Sequence, residues 1–206
     1  IEKAIGDLLE NDIKRLTLGH QGLRNVMNNH TYHHRMGEIL QFLEIEDPYL
    51  KIENNVPLVS IVCCTNRPKM VENILKNYLS QKYKNLEMIV MLQAPQKQFT
   101  VLKKTMDKID GITVRRQLIK DSLGATFNKG FKYCKGEFIA KFDDDDLYGP
   151  NYLTDTIDAF GYTDADIIGK YGVFIYDEGS KKFYFRDRGI NRYLQIVPFY
   201  HYKKSQ

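Results

Sequence analysis

Four consecutive aspartates, Asp143, Asp144, Asp145 and Asp146, are the strongest chemical signal in this sequence. They follow an apolar segment, 138–142, that is typical of a buried strand, and they precede a proline that suits a first helical turn. Two like charges about 4 Å apart repel by roughly 1 kcal/mol in water and about 4 kcal/mol near a protein surface. A divalent cation would remove this repulsion, and hard cations bind oxygen ligands. Because ligands of α/β proteins bind at the carboxyl ends of strands, the pattern favours a metal site over a solvated acidic loop.

The order of the aspartates indicates which of them act together. Alternate side chains of an extended chain point the same way, which predicts one face for Asp143 and Asp145, with Asp144 and Asp146 on the other face or in the following loop. Segment 142–150 resembles the Asp-x-Asp-Asp-x-(Tyr/Trp)-x-Pro element of family-2-like GT-A glycosyltransferases. In that family the paired aspartates contact the nucleotide and the metal ion on its diphosphate. The resemblance implies Mn²⁺ or Mg²⁺ at Asp143 and Asp145, and a nucleotide sugar beside Asp144 and Asp146.

A second polar cluster, Thr65, Asn66 and Arg67, follows the near-continuous apolar run 58–63, which is typical of a central parallel strand. A helical pattern begins at Val71, and strand, turn and helix in this order are common in α/β domains. The segment also resembles the opening of family-2 transferases, in which the turn contacts the nucleobase and ribose. The resemblance implies nucleotide contacts for all three residues, and the guanidinium of Arg67 also suits a phosphate.

Two further segments add candidate nucleotide-binding residues. The apolar segment 86–92 ends at Gln93, where most relatives have an aspartate; an amide can pair with a base edge or a hydroxyl but supplies no charge, so the base stays open. Gly124 lies near a predicted helix start, where free N–H groups favour phosphate. Gly124, Asn128 and Gly130 fit the Gly-x-x-x-Asn-x-Gly helix that precedes the aspartates in the family. The alternatives are a plain turn for Gly124 and a helix-surface amide for Asn128.

Alternating strand and helix patterns must position these residues, and with the resemblance they predict an α/β fold. The expected fold is GT-A-type and Rossmann-like, with a mostly parallel sheet flanked by helices and an N-terminal helical appendage. Strands are predicted at 58–63, 86–92, 112–116 and 138–142, and helices from 71, over 97–109 and from 150. One or two strands over 165–176 and a hairpin to 183–186 follow, with a possible last strand at 196–204. We expect an appendage at 1–45, a linker at 46–57 and a nucleotide-sugar-binding domain at 58–206 that is truncated at its C-terminus.

Periodic apolar residues in the appendage predict helices over 1–16, over 21–28 and after an N-cap at Thr31. Residues 8–40 resemble the C-terminal helices of group-1, GT-B-type glycosyltransferases, most of all the spore-maturation-like proteins. This implies that a GT-B domain precedes residue 1, or that the helices brace the next module. His30, His33 and His34 have the spacing of metal ligands, but no carboxylate or cysteine nearby completes a set, so a polar helix start is favoured over zinc.

The composition indicates which classes of binding partner and which compartment are favoured. A net charge of +4 and a pI of about 8.8, with scattered lysines, do not favour nucleic acid but suit an anionic substrate. No apolar run approaches the length of a transmembrane segment. Three cysteines without Cys-x-x-Cys spacing favour a reducing compartment, and we expect a cytoplasmic protein.

These features and the resemblance predict a metal-dependent glycosyltransferase that moves a sugar from a nucleotide sugar, expected to be UDP-linked, to a saccharide or other hydroxyl acceptor with inversion. The metal ion would stabilise negative charge on the leaving diphosphate. Inversion also requires a general base, which relatives carry after the aspartates. The later acids Asp177, Glu178 and Asp187 lie in hairpin-like sequence, so no catalytic base is assigned.

Two other functions fit the same residues. The missing base and Gln93 favour a non-catalytic nucleotide-sugar-binding or scaffold module that serves a larger transferase. A metal-dependent nucleotidyltransferase is also α/β with paired acids, but it should have a Gly-rich, basic loop after the first strand. Residues 65–68 fit that loop poorly.

Overall fold

The computed structural model describes residues 2–46, 56–117, 121–170 and 173–186. The chain divides into two compact units, one of residues 54–155 and one of residues 1–53 together with 156–206. The predicted linker lies largely outside the described residues, and so do Asp187 and the predicted strand at 196–204.

Four parallel strands form the sheet of the first unit. They are β1 (Val59–Thr65), β2 (Leu86–Leu92), β3 (Ile112–Arg116) and β4 (Phe138–Phe142), in the order β3-β2-β1-β4. All four agree with the sequence prediction to within a residue or two. Because the strands are parallel, their carboxyl ends lie along one edge of the sheet.

Helices separate the strands along the chain, as the α/β prediction requires. A 3₁₀ turn at Pro68–Met70 leads into α4 (Val71–Leu79), and α5 (Gln96–Met106), α6 (Leu123–Phe131) and α7 (Tyr152–Phe160) follow. Helix α5 ends at Met106 rather than at 109. The chain turns there and enters β3 through Gly111, whose φ of 80° favours glycine.

The core of this unit lies between the central strands and the helices. Side chains of β1 and β2 such as Ile61, Val62, Ile89 and Met91 are fully buried, as near-continuous apolar strands predict. Helix α6 packs directly on them at Gly130, where a Cβ would lie 2.8 Å from Val62 Cγ1. Gly130 therefore has a packing role, and this close approach fixes the position of α6 on the strands.

The N-terminal segment is helical, but its helix boundaries differ from the prediction. The structure has α1 (Glu2–Glu10), α2 (Asp12–Asn29) and α3 (Tyr32–Phe42). The predicted 1–16 helix breaks at Asn11, whose side-chain oxygen accepts the Lys14 N–H at 2.9 Å and so starts α2 instead. Thr31 caps α3 as predicted.

The second unit also contains a two-stranded antiparallel hairpin, β5 (Val173–Asp177) with β6 (Lys182–Arg186), which confirms the predicted hairpin. The expectation of strand structure from 165 is wrong for 165–170, where no described strand offers backbone partners. None of the helices in the described ranges is long and apolar enough to cross a membrane.

Candidate active site at the carboxyl edge of the sheet

The ends of β1, β2 and β4 bring distant parts of the sequence together. Thr65 pairs with Leu92 at the ends of β1 and β2, and Cys63 pairs with Phe142 at the end of β4. The Gln93 N–H donates to the Thr65 carbonyl at 2.8 Å. Thr65, Gln93 and the loop that follows β4, residues 143–149, therefore meet at one edge. We call this loop the acidic loop.

Asp144 is the buried member of the acidic loop, with 5% of its surface exposed. Its carboxylate accepts hydrogen bonds from the Thr65 hydroxyl and from Nη2 of Arg67, and Nε of Arg67 donates to it at 3.1 Å. Burial acts to raise the pKa of Asp144, but the bonds from Arg67 and Thr65 outweigh burial and hold the pKa below its usual range. Asp144 is therefore a carboxylate held in its charged form.

Asp143 and Asp145 each have a cationic partner. Nη1 of Arg67 lies 3.0 Å from Oδ2 of Asp145, so Arg67 joins Asp144 to Asp145. Lys141 Nζ contacts both carboxylate oxygens of Asp143, at 2.6 and 2.7 Å. Both pairs are about half exposed to water, where an ion pair contributes little and exchanges readily.

Asp146 differs from its three neighbours. Its carboxylate makes no hydrogen bond or ion pair with any residue in the described part of the chain. Loss of hydration, followed by repulsion from Asp143 and Asp145, raises the pKa of Asp146. The acidic loop thus retains uncompensated negative charge, because four carboxylates share the cations Arg67 and Lys141.

The alternation predicted for the four aspartates is wrong. The strand ends at Phe142, and residues 144–146 form a bend, so the two-residue repeat of an extended chain does not continue. Asp144 and Asp145, rather than Asp143 and Asp145, converge on a common partner, Arg67. The reason is the long side chain of Arg67, which reaches both carboxylates from the end of β1.

Three amide side chains that the sequence reasoning missed hold the backbone of the acidic loop. Asn73 and Asn77 lie on α4, and Gln81 lies just beyond its end. Asn77 and Gln81 are only 3% and 8% exposed. The missed signal is the four-residue spacing of Asn73 and Asn77, which aligns two amides on one face of a helix that otherwise buries apolar residues.

Aromatic rings also contact the loop. The ring of Tyr148 stacks on Phe142 with centroids 3.7 Å apart, and Tyr152 meets both rings edge-on. The Tyr148 hydroxyl accepts the Asp143 N–H at 2.9 Å. Burial raises the pKa of Tyr148, so its hydroxyl stays protonated at neutral pH.

The remaining candidates lie around this cluster. The Gln93 amide donates to the Asp121 carbonyl at 3.3 Å, which connects the end of β2 to the segment before α6. Ser122 caps α6, and Gly124 in its first turn faces open space. Asn66 and Asn128 are exposed. The structure thus brings Thr65, Arg67, Gln93 and the acidic loop together, and Gly124 and Asn128 belong to the helix that starts beside Gln93.

The carboxylates of the acidic loop suit a divalent cation that brings further ligands of its own. In the described ranges, no three or more His, Cys, Asp or Glu side chains are arranged to hold a metal ion by themselves. Mg²⁺, however, is typically bound through one or two carboxylates together with substrate phosphates. The hard oxygen donors of Asp143, Asp145 and Asp146, and the excess negative charge, fit a cation that is bound together with a diphosphate.

Residues 60–205 match the family described as Glycosyl transferase family 2. The chain belongs to glycosyl transferase family 2. Membership of family 2 and the observed parallel sheet confirm the predicted GT-A-type, Rossmann-like α/β fold. The family match begins at residue 60, so the GT-B resemblance of the N-terminal helices stays a prediction.

Curated relatives of this family 2 chain are also glycosyltransferases by name. It is 31% identical over 132 residues to an uncharacterized glycosyltransferase of Rickettsia typhi, a match that covers 63% of this chain and 40% of that protein. It is 27% identical over 150 residues to the putative glycosyltransferase EpsH of Bacillus subtilis, covering 72% and 42%. The glycosyltransferase GlyG of Streptococcus pneumoniae is 28% identical over 131 residues, covering 62% and 43%. The chain thus spans less than half the length of these relatives.

Solved structures with a similar fold include a mannosyltransferase and TarS. The mannosyltransferase PcManGT from Pyrobaculum calidifontis, in complex with GDP-Man and Mn²⁺, is 20% identical with a TM-score of 0.43, and the match covers 70% of this chain and 42% of that chain. TarS 1–349 of S. aureus is 18% identical with a TM-score of 0.45, covering 50% and 32%. Both likenesses are too distant to assign residues or ligands in this family 2 chain.

Proposed function

We propose that this family 2 chain transfers a sugar from a nucleotide-sugar donor to a hydroxyl acceptor, with a divalent cation bound at the acidic loop. The observation that carries the proposal is the carboxylate of Asp146, which has no partner among the described residues, in a loop with excess negative charge. That loop lies at the same sheet edge as Thr65 and Gln93. In an ion-pair network with a purely structural role, we expect each carboxylate to have a cationic partner. A cation site, in contrast, requires carboxylates that repel one another until the cation binds.

In this proposal, Asp143 and Asp145 hold Mn²⁺ or Mg²⁺, and Asp146 adds negative charge beside them. When bound, the ion supplies Lewis-acid stabilisation of the charge that grows on the departing diphosphate. The half-exposed ion pairs of Asp143 and Asp145 can exchange their cationic partners for the metal ion at little cost. Lys141 and Arg67 would then be released from these pairs toward the phosphates.

Arg67 and Asp144 have connected roles. Two N–H groups of Arg67 stay on the buried Asp144, which fixes the guanidinium plane, while Nη1 lies on the exposed Asp145. A phosphate oxygen can take the place of Asp145 on Nη1, because a guanidinium binds both groups with similar geometry. Asp144 therefore contributes to nucleotide binding through Arg67.

The nucleoside is assigned to the neighbouring strand ends. Thr65 and Asn66 follow β1, and the amide of Gln93 offers a donor and an acceptor to a base edge such as that of uracil. The backbone N–H of Gly124, in the first turn of α6, would donate to phosphate, and Asn128 lies one turn further along the helix. A UDP-linked donor, a saccharide or other hydroxyl acceptor, inversion, and a cytoplasmic location complete the proposal.

Thermal unfolding with ligands tests the proposal. A ligand that binds the native state raises its apparent stability, so UDP with Mn²⁺ should raise the Tm, and EDTA should abolish the increase. Asp145→Asn and Asp146→Asn should remove most of the metal-dependent increase. The matched control is Asp107→Asn, which removes an aspartate from a surface ion pair with Lys103 and should leave the increase intact. An equal Tm increase with and without metal would contradict the proposal, and so would an equal loss in the control.

A non-catalytic sugar-nucleotide-binding module is the second candidate. Gln93 in place of an acid, and the absence of an assigned general base among the described residues, favour it. Incubation with a panel of nucleotide sugars, followed by detection of released nucleotide with and without candidate acceptors, separates the two functions. Metal-dependent binding without turnover on any donor would support the module.

A further inference from the structure

The backbone of the acidic loop is held by a row of amides that the proposed chemistry does not use. Asn73 Nδ2 donates to the carbonyls of Asp144 and Asp146, at 2.8 and 2.9 Å. Asn77 Nδ2 donates to the same Asp146 carbonyl at 2.8 Å, and its oxygen accepts the Tyr148 N–H at 3.0 Å. Asn73 and Asn77 thus hold the backbone of the loop by hydrogen bonds on both sides of Asp145.

Gln81 extends the row to the start of the next helix. Its Nε2 donates to the Gly149 carbonyl at 3.1 Å, and its Oε1 accepts the Leu153 N–H at 3.3 Å. Residues 73 and 77 are four apart on α4, so their side chains lie about 6 Å apart along one helix face, and Gln81 follows two residues beyond the helix end. The loop therefore runs along these three side chains with its carbonyls and N–H groups toward the amides. We call Asn73, Asn77 and Gln81 the amide row.

The amide row opposes the electrostatic repulsion within the acidic loop. Four neighbouring carboxylates repel one another, and a loop without regular secondary structure relaxes such repulsion by spreading its backbone. The amides bind only backbone atoms, so they oppose the spreading without neutralising a carboxylate. Preorganised groups of this kind keep a site from having to rearrange when its ligand arrives.

We infer that Asn73, Asn77 and Gln81 are positioning residues that hold the acidic loop in its cation-binding conformation before the cation binds. The identity of the cation and its diphosphate rests on the function proposed above. The effect on the backbone does not, since it is a property of the metal-free protein.

Amide hydrogen exchange of the metal-free protein tests the backbone claim. In Asn77→Ala, the Tyr148 N–H loses its acceptor and must exchange faster, by about fivefold for one lost hydrogen bond of typical strength. The informative amide is that of Asp143, which donates to the Tyr148 hydroxyl rather than to Asn77. Positioning requires that it also exchange several-fold faster in Asn77→Ala and in Asn73→Ala. Faster exchange confined to Tyr148 would overturn the inference.

Metal affinity tests the link to the site. Mn²⁺ binding in the presence of UDP is measured by electron paramagnetic resonance of the free ion. Asn73→Ala should weaken this binding by about tenfold, which is the lower end of the range for residues that orient metal ligands. The control is Val114→Ala on β3, at the opposite edge of the sheet from β4, which removes buried apolar volume away from the loop. It should lower stability but change the Mn²⁺ dissociation constant less than twofold.

The results separate the inference from the proposed function. Equal weakening in Asn73→Ala and Val114→Ala would show a general stability effect and overturn the positioning role. Absence of Mn²⁺ binding in the wild-type protein would overturn the proposed function, while the exchange of the Asp143 amide would still decide whether the row holds the loop. Asn73→Gln, which keeps an amide donor on a longer side chain, should recover part of the affinity if the donated bonds are the cause.

Discussion

Replacing Asp144 by asparagine is the most direct test of how the site is held together. The carboxylate is buried and accepts bonds from the Thr65 hydroxyl and from two nitrogens of Arg67. Asparagine has nearly the same shape, but it offers one acceptor oxygen and turns an NH₂ group toward a donor. The substitution therefore changes charge and hydrogen bonding while leaving the packing almost unaltered.

The expected loss follows from these contacts. Hydrogen bonds to a charged group contribute about 1.5–3 kcal/mol each, and Asp144→Asn removes or weakens all three that the carboxylate accepts. The Arg67 side chain is 42% exposed, so water can solvate it after the change, and the ion-pair part must be discounted. We expect the free energy of unfolding to fall by about 2 kcal/mol at pH 7.

The contribution of Asp144 to the free energy of unfolding depends on pH. The folded-state pKa of Asp144 lies below its unfolded value, which is about 3.9 for a typical aspartate. The stabilisation is therefore complete above the unfolded pKa and disappears as the pH falls through the folded pKa. The difference between wild type and Asp144→Asn should be constant from pH 6 to pH 8 and should shrink steadily below about pH 4.

Urea denaturation followed by circular dichroism at a series of pH values measures this difference. A loss below about 0.5 kcal/mol at pH 7 would mean that water replaces the Arg67 and Thr65 bonds without cost, contrary to the argument from burial. An undiminished loss at low pH would show that packing, rather than charge, is responsible.

Two further predictions use neighbouring residues. Asp146→Asn should raise the free energy of unfolding by about 0.5 kcal/mol at pH 7, because it removes the repulsion between Asp146 and the carboxylates of Asp143 and Asp145, which water screens in part. Since the pKa of Asp146 is raised, this gain should vanish in urea denaturation as the pH falls through that pKa, and a loss of stability at pH 7 would contradict it. Gly130→Ala should lower the thermal midpoint through a clash with β1 worth about 1–3 kcal/mol, whereas Gly124→Ala, in open space, should leave it unchanged or slightly raised. Equal midpoints for the two alanine variants would contradict the packing described for α6.

Local patterns were sufficient for much of the fold. The strands 86–92, 112–116 and 138–142 were predicted at their observed bounds because short apolar runs between polar turns leave few alternatives. Thr31 was predicted as a cap because its hydroxyl acts within one turn of its own helix. The break at Asn11 was missed, although asparagine is an equally good cap, because the apolar period continues across it.

The sequence by itself determined that aspartates and polar turns follow strands, and parallel pairing is enough to bring such strand ends to one edge. It did not show that β4 is an edge strand, in which Phe142 is buried but Ile139 is half exposed. The tertiary structure decided how they are connected. Arg67 meets Asp144 across 77 residues of sequence, and Asn73 meets the loop across 71. Hydrophobic periodicity indicates which face of a helix or strand is buried, because the pattern is formed by residues that are only a few positions apart in the sequence. The choice of partner for a buried amide or carboxylate depends on the packing of β1, β4 and α4 against one another, which no local pattern encodes.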